Sequence, residues 1–170
     1  MFKSFAIAGL VFNLWMAIFL VKINPVYAPI YDFTKVQEKI EKRNRLWRFF
    51  KVYGSPEVAK DVSVFNCFVS ESSRLGFDYT LLPAISFVES SGFKNYPKQT
   101  NNGFGFGSGE PIGFGSHCDC IRQVGRTIGT KAVYKKWQKT GEVEDLARVY
   151  ATDPQWSTKV RYWMNKIKNF

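Results

Sequence analysis

The chain has 170 residues, a formal net charge of +10, and 45% hydrophobic and 17% aromatic residues. That length holds one domain with extras and can bury a single core without staples. The positive balance favours polyanions, whether nucleic acid, anionic lipid or an acidic cell-wall polymer; no nucleic-acid motif accompanies it, so nucleic acid is set aside.

In chain order, Lys3 precedes an uncharged apolar run from Phe5 to Val21, which predicts a hydrophobic helix and export of the chain downstream of it. Its length lies between a long signal-peptide core and a short membrane span. Val26-Tyr27-Ala28 has small-residue cleavage character, but Pro29 behind it hinders cleavage and favours an uncleaved anchor. The cations beyond the run, from Lys22 to Arg48, prefer the cytoplasmic side of a membrane. Residues 1–31 are thus expected to be a signal peptide or signal anchor, with the protein exported and either membrane-anchored or secreted.

Residues 32–54 are highly charged, with Val36, Ile40, Trp47 and Phe50 at helical spacing. They predict an amphipathic helix, with Gly54 as its end. Ser55-Pro56-Glu57 then resembles a helix start, with cap, first-turn proline and acid. The next helix is expected to run to Leu75 and to bury Val62, Phe65, Phe68 and Val69, with Gly76 as terminator. Asp78 caps a third helix whose Leu81, Leu82, Ala84, Ile85 and Val88 are apolar all round, as in a helix buried mid-domain.

That helix ends in Glu89. A carboxylate beside so much apolar surface is costly to ionise, and desolvation moves its pKa upward. A carboxyl kept protonated near neutrality can serve as a general acid; the plainer alternative is a capping or paired carboxylate.

Asn101 to Gly109 carries four glycines in near alternation and cannot hold a helix. Phe104 and Phe106 argue that this loop is ordered. A phosphate-loop reading fails, because no strand precedes it and no Lys-Ser/Thr comes after it. Helical patterning resumes behind Ser116 with Ile121, Val124 and Ile128. An aromatic segment around Tyr134 and Trp137 comes next, then Glu142 to Val149. Asp153-Pro154 opens a last helix bearing Trp156, Val160, Trp163, Met164 and Ile167. The fold class is therefore all-α with one irregular Gly/Phe-rich loop.

Of three cysteines, Cys67, Cys118 and Cys120, an exported chain is expected to pair Cys67 with one of the other two. His117 beside Cys118 raises the question of a metal, but the spacing is not that of a zinc finger or ribbon and there is no second ligand pair. No metal or cofactor is expected. Nor does His117 have an orienting partner at the spacing a Ser-His or Cys-His hydrolase needs.

Three pieces combine: a helix-ending Glu89-Ser90, Asn101-Asn102-Gly103-Phe104-Gly105, and Tyr150-Ala151-Thr152-Asp153-Pro154-Gln155-Trp156 with Lys159 and Val160 just beyond. Together they resemble the lysozyme-like glucosaminidases and lytic transglycosylases that cut peptidoglycan. The second is similar to the Asn-Asn-Leu-Phe-Gly turn of the mannosyl-glycoprotein endo-β-N-acetylglucosaminidase-like branch. The third is similar to its Tyr-Ala-Thr-Asp-Pro-x-Tyr-x-x-Lys-Leu segment. The resemblance runs from about Ser55 to Lys168 and implies a lysozyme-like catalytic domain over residues 55–170. It implies that Glu89 is the catalytic acid, that Ser90 shapes the site, and that Tyr150 faces the scissile sugar from the opposite wall. Asn101, Asn102, Phe104 and Phe106 would contact substrate, consistent with aromatic faces stacking on sugars and amides meeting N-acetyl groups.

In that branch the second carboxylate comes from a β-rich lobe after the turn. Here only residues 108–115 are available, with Glu110 the one obvious candidate and Asp119 a poor second. A single-acid scheme, in which the substrate's own groups complete the reaction, is therefore favoured over a two-carboxylate one. The expected partners are peptidoglycan glycan strands, and the membrane through the N-terminal segment. Two alternatives remain: a non-catalytic glycan-binding or scaffold module on the same fold, and a membrane-surface protein acting through its charged helix.

Overall fold

The computed structural model describes residues 32–107 and 112–170. The signal peptide or anchor expected over 1–31, and Glu110, lie outside the described residues. Among those described, every regular element is helical and no strand occurs, in keeping with an all-α class. None of these helices is long and apolar enough to cross a membrane.

Among the described residues seven α-helices succeed one another: α1 (Phe33–Tyr53), α2 (Val62–Leu75), α3 (Leu81–Ser90), α4 (His117–Thr130), α5 (Lys135–Thr140), α6 (Val143–Tyr150) and α7 (Trp156–Lys168), with short 3-10 turns between some of them. Residues Lys35–Phe170 form one compact unit. The charged helix expected over 32–54 is part of it, because Leu46, Phe49 and Phe50 are fully buried. At i, i+3 and i+4 they share one face, while Val36, expected on the apolar face, is exposed. Phe50 meets Phe65 edge-on at 5.3 Å and Phe87 at 4.9 Å, and Phe49 meets Phe87 at 5.2 Å. Truncating such a buried ring to alanine costs about 3–5 kcal/mol.

The start of α2 differs from expectation. Ser55-Pro56-Glu57 leads only into a 3-10 turn, and the cap is Asp61, whose Oδ1 accepts the Ser63 N–H at 2.9 Å. Val62, expected in the core, is exposed, and Val64 is buried in its place. Ser116 caps α4 as expected, accepting the Asp119 N–H at 3.1 Å.

Every α3 residue from Leu81 to Phe87 is buried, as its all-round apolar sequence requires. It packs chiefly on α7, while α2 packs chiefly on α4. Glu89 thus emerges where α3 runs out of protein to bury against, beside the start of α7.

Of the two pairings left open for Cys67, the structure has Cys67–Cys118, with Cα atoms 5.6 Å apart, inside the usual disulfide range. Cys120 is a buried free thiol.

Candidate active site

Glu89, Gly105, Tyr150, Trp156, Lys159 and Trp163 line an open cleft of about 530 Å³, together with Phe87, Val88 and residues 151–153. The carboxyl of Glu89 is half-buried. Its Oε1 accepts the indole N–H of Trp156 at 2.6 Å. Burial pushes the Glu89 pKa up and the Trp156 hydrogen bond pulls partly against it, with a net rise. The burial effect wins because a neutral N–H stabilises the carboxylate less than lost water destabilises it.

The two carboxyl oxygens have different surroundings. Oε1 is held as an acceptor by Trp156. Oε2 faces the loop, where a Cβ placed on Gly105 would come within 3.1 Å of it, and Gly105 has φ +58°. Glycine therefore serves twice here, tolerating the left-handed backbone and leaving the space beside Oε2 open. The proton of the neutral acid then belongs on Oε2, the oxygen with room for a reacting atom.

Tyr150 stacks on Trp156 with centroids 5.0 Å apart and planes 28° from parallel. Its hydroxyl donates to the Phe104 carbonyl at 3.0 Å. Although the ring reaches the cleft surface, protein crowds it closely; burial first, and the Glu89 charge second, push its pKa well up. The phenol therefore stays protonated and acts as a donor. It ties the end of α6 to the Gly/Phe loop, on the far side of the Trp156 ring that bonds Glu89.

The loop is held by its own polar side chains. Asn102 is buried; its Oδ1 accepts from the Phe104 N–H at 3.3 Å and the Phe106 N–H at 3.0 Å, and its Nδ2 donates to Phe106 O at 2.7 Å and Ile112 O at 3.2 Å. All four hydrogen-bonding positions of the amide are filled. Asn101 donates to Phe114 O at 2.9 Å. The Ser90 hydroxyl donates to Gly103 O at 2.6 Å and accepts from the Phe93 N–H at 3.0 Å. A Cβ at Gly103 would lie 2.2 Å from the Phe93 ring, so only glycine fits there.

Several residues expected to contact substrate are therefore placed elsewhere. Asn102 turns its whole amide inward to the loop and Asn101 spends its Nδ2 on Phe114 O, while Ser90, expected to shape the site, fastens the loop at Gly103. Phe104 is fully buried, its ring against Phe68 at 6.4 Å and Phe93 at 5.7 Å, rather than bordering the cleft. Phe106 is partly exposed but does not line the cleft. Glu89 and Tyr150 both line the cleft. The residues whose roles sequence reasoning misses are Trp156, Gly105, Lys159 and Trp163. The signal for Trp156 is its place at the end of the Tyr150–Trp156 segment.

The other acid that lines the cleft among the described residues, Asp153, accepts the Gln155 N–H at 2.8 Å and pairs with Lys159 at 2.6 Å. The lysine first, then the backbone N–H, lower its pKa. It is thus a helix-opening residue held ionised. Asp119 instead accepts from Ser116 at 2.8 Å near the cap of α4 and does not line the cleft. His117 shares a 2.7 Å hydrogen bond with the Tyr96 hydroxyl, and burial lowers its pKa. Among the described residues no group of three His, Cys, Asp or Glu side chains is placed to hold a metal.

What the arrangement offers chemically is one carboxyl whose pKa burial raises, one oxygen of it held by Trp156 and the other beside Gly105, next to an aromatic wall in an open cleft. Set against family models, curated proteins and solved structures, the chain matches none.

Proposed function

We infer that the protein is a glycosidase acting on peptidoglycan strands, with Glu89 as a single general acid. The observation that carries this reading is the Glu89 carboxyl itself: its pKa is raised by burial, its Oε1 is fixed by Trp156, and its Oε2 is open beside Gly105. Glu89 gives its Oε2 proton to the glycosidic oxygen as the bond to the anomeric carbon breaks. A hydroxyl of the substrate, or water, then attacks the anomeric carbon and returns its proton to Glu89. The first nucleophile leaves an anhydro sugar and the second a reducing end. With Asp153 tied to Lys159, the described residues supply no free second carboxylate to the cleft, which favours completion by the substrate's own hydroxyl. Export to the cell envelope, anchored or secreted, belongs to the same proposal.

A Glu89→Gln variant is expected to fold normally and to lose clearing in a peptidoglycan gel assay; retained lysis by that variant would sink the proposal. Mass spectrometry of digested strands separates anhydro from hydrolysed ends. The lack of a free second acid also favours a second reading, a non-catalytic glycan-binding or scaffold module. It predicts sedimentation with insoluble peptidoglycan and no new chain ends from the unaltered protein.

A further inference from the structure

The helix α7 carries four cations and no acidic residue. Two of the cations are engaged away from the cleft: Arg161 with Glu142 and Glu144, and Lys168 with Asp78. The other two, Lys159 and Lys166, fall with Tyr162 and Trp163 at i, i+3, i+4 and i+7. That spacing places all four along one face, over an axial length of about 10 Å. Lys159 and Trp163 already line the cleft, so the row begins at the active site and leads away from it.

The aromatic members are held in place. Phe87 stacks on Trp163 with centroids 4.5 Å apart at 24°, fixing the indole plane. Tyr162 meets Trp163 edge-on at 5.4 Å and is 56% exposed. Lys166 has no acidic partner among the described residues. Its ammonium lies instead 4.1 Å from the Tyr53 ring centre, 5.0 Å from that of Trp163 and 5.5 Å from that of Tyr162. Ring faces attract a cation without neutralising it, so an uncompensated positive charge is presented beside exposed aromatic surface.

We propose that this face of α7 extends the cleft as a saccharide-binding rail, on which Tyr162, backed by Trp163, stacks against amino sugars and Lys166 meets carboxylates carried on the strand. The proposal rests on the glycan reading of the Glu89 cleft and assigns that site a preference for long, acid-bearing strands over short neutral ones. A membrane surface also takes aromatic and basic groups, but continuity with the cleft through Lys159 and Trp163 favours the glycan.

The test uses the full-length Glu89→Gln protein as a binding probe that does not consume its ligand. Its affinity is measured by co-sedimentation and tryptophan fluorescence, against peptidoglycan strands with intact peptide stems and against strands stripped of stems. Tyr162→Ala in this background is expected to weaken binding to both by about tenfold, the loss of one stacking contact. Lys166→Gln is expected to weaken only binding to stem-bearing strands, with a loss that shrinks as salt rises. Both side chains are largely outside the core, so neither substitution threatens folding as Trp163→Ala would. Affinities within twofold of the parent overturn the proposal, as does failure of the parent to bind either strand. A loss confined to anionic phospholipid vesicles overturns it in favour of a membrane surface. Unchanged binding alongside wild-type cleavage would remove the rail and leave the glycosidase standing; absence of cleavage products from wild type would remove the glycosidase itself.

Discussion

Replacing Trp156 with phenylalanine isolates the hydrogen bond that tunes Glu89. The benzene ring keeps an aromatic partner for Tyr150 and most of the buried volume, while the N–H that reaches Oε1 at 2.6 Å is removed. A hydrogen bond to an ionised group is worth about 1.5–3 kcal/mol when shielded. Glu89 is only half-buried, and solvent screening reduces this to about 1 kcal/mol. The bond favours the carboxylate over the neutral acid, so its loss raises the Glu89 pKa further. A general acid works protonated, and activity falls as pH rises through that pKa; the alkaline limb of the pH–rate profile therefore moves to higher pH in the variant. About 1 kcal/mol is roughly a factor of five. The rate of the variant relative to wild type should thus be about fivefold greater on the alkaline limb than on the plateau. Initial rates of strand cleavage across pH measure this, with thermal unfolding as the control for folding. A limb that stays in place, or moves to lower pH, would refute the idea that Trp156 sets the proton affinity of Glu89.

Three further outcomes can be checked. Removing the Cys67–Cys118 link by a double alanine substitution frees a loop of 51 residues' separation; chain entropy puts the cost at about 4 kcal/mol, read as a lower urea midpoint, and a loss under about 1 kcal/mol would contradict it. Gly105→Ala forces a side chain to φ +58° and to 3.1 Å from Glu89 Oε2, so turnover should fall about tenfold or more with the fold intact; unchanged turnover would mean that the space beside Oε2 is not used. Burial pushes the Cys120 thiol up to about 12, so an aromatic disulfide reagent at pH 8 should find no thiol in the folded protein and one equivalent after denaturation.

Much of the frame is legible in sequence because its signals are local. The apolar run Leu81–Val88 puts Glu89 at a rim, and Ser116 marks a helix start through one backbone contact. What is illegible depends on partners distant in the chain. The Trp156–Glu89 bond spans 67 positions, and no periodicity encodes it. Cys118 and Cys120 lie two residues apart on α4 and so point to nearly opposite sides. Only helix packing decides which faces Cys67. The inner half of α1 is masked by its charges, although Leu46, Phe49 and Phe50 form a clean buried stripe. Sequence alone turns the amides of Asn101 and Asn102 toward sugar, whereas the fold turns the Asn102 amide inward and bonds the Asn101 Nδ2 to Phe114 O. A glycine-rich loop without regular structure leaves backbone groups that must find partners, and these two side chains supply them.

The amide of Asn102 also bonds the chain on both sides of residues 108–111, at Phe106 and at Ile112. One side chain thereby pins the two ends of that segment to each other, independently of what lies between them. The cleft wall is consequently insulated from the length of the intervening chain. Extra residues grafted between 107 and 112 are therefore expected to leave Gly105 and Glu89 in place, which makes this position a socket for inserted chain.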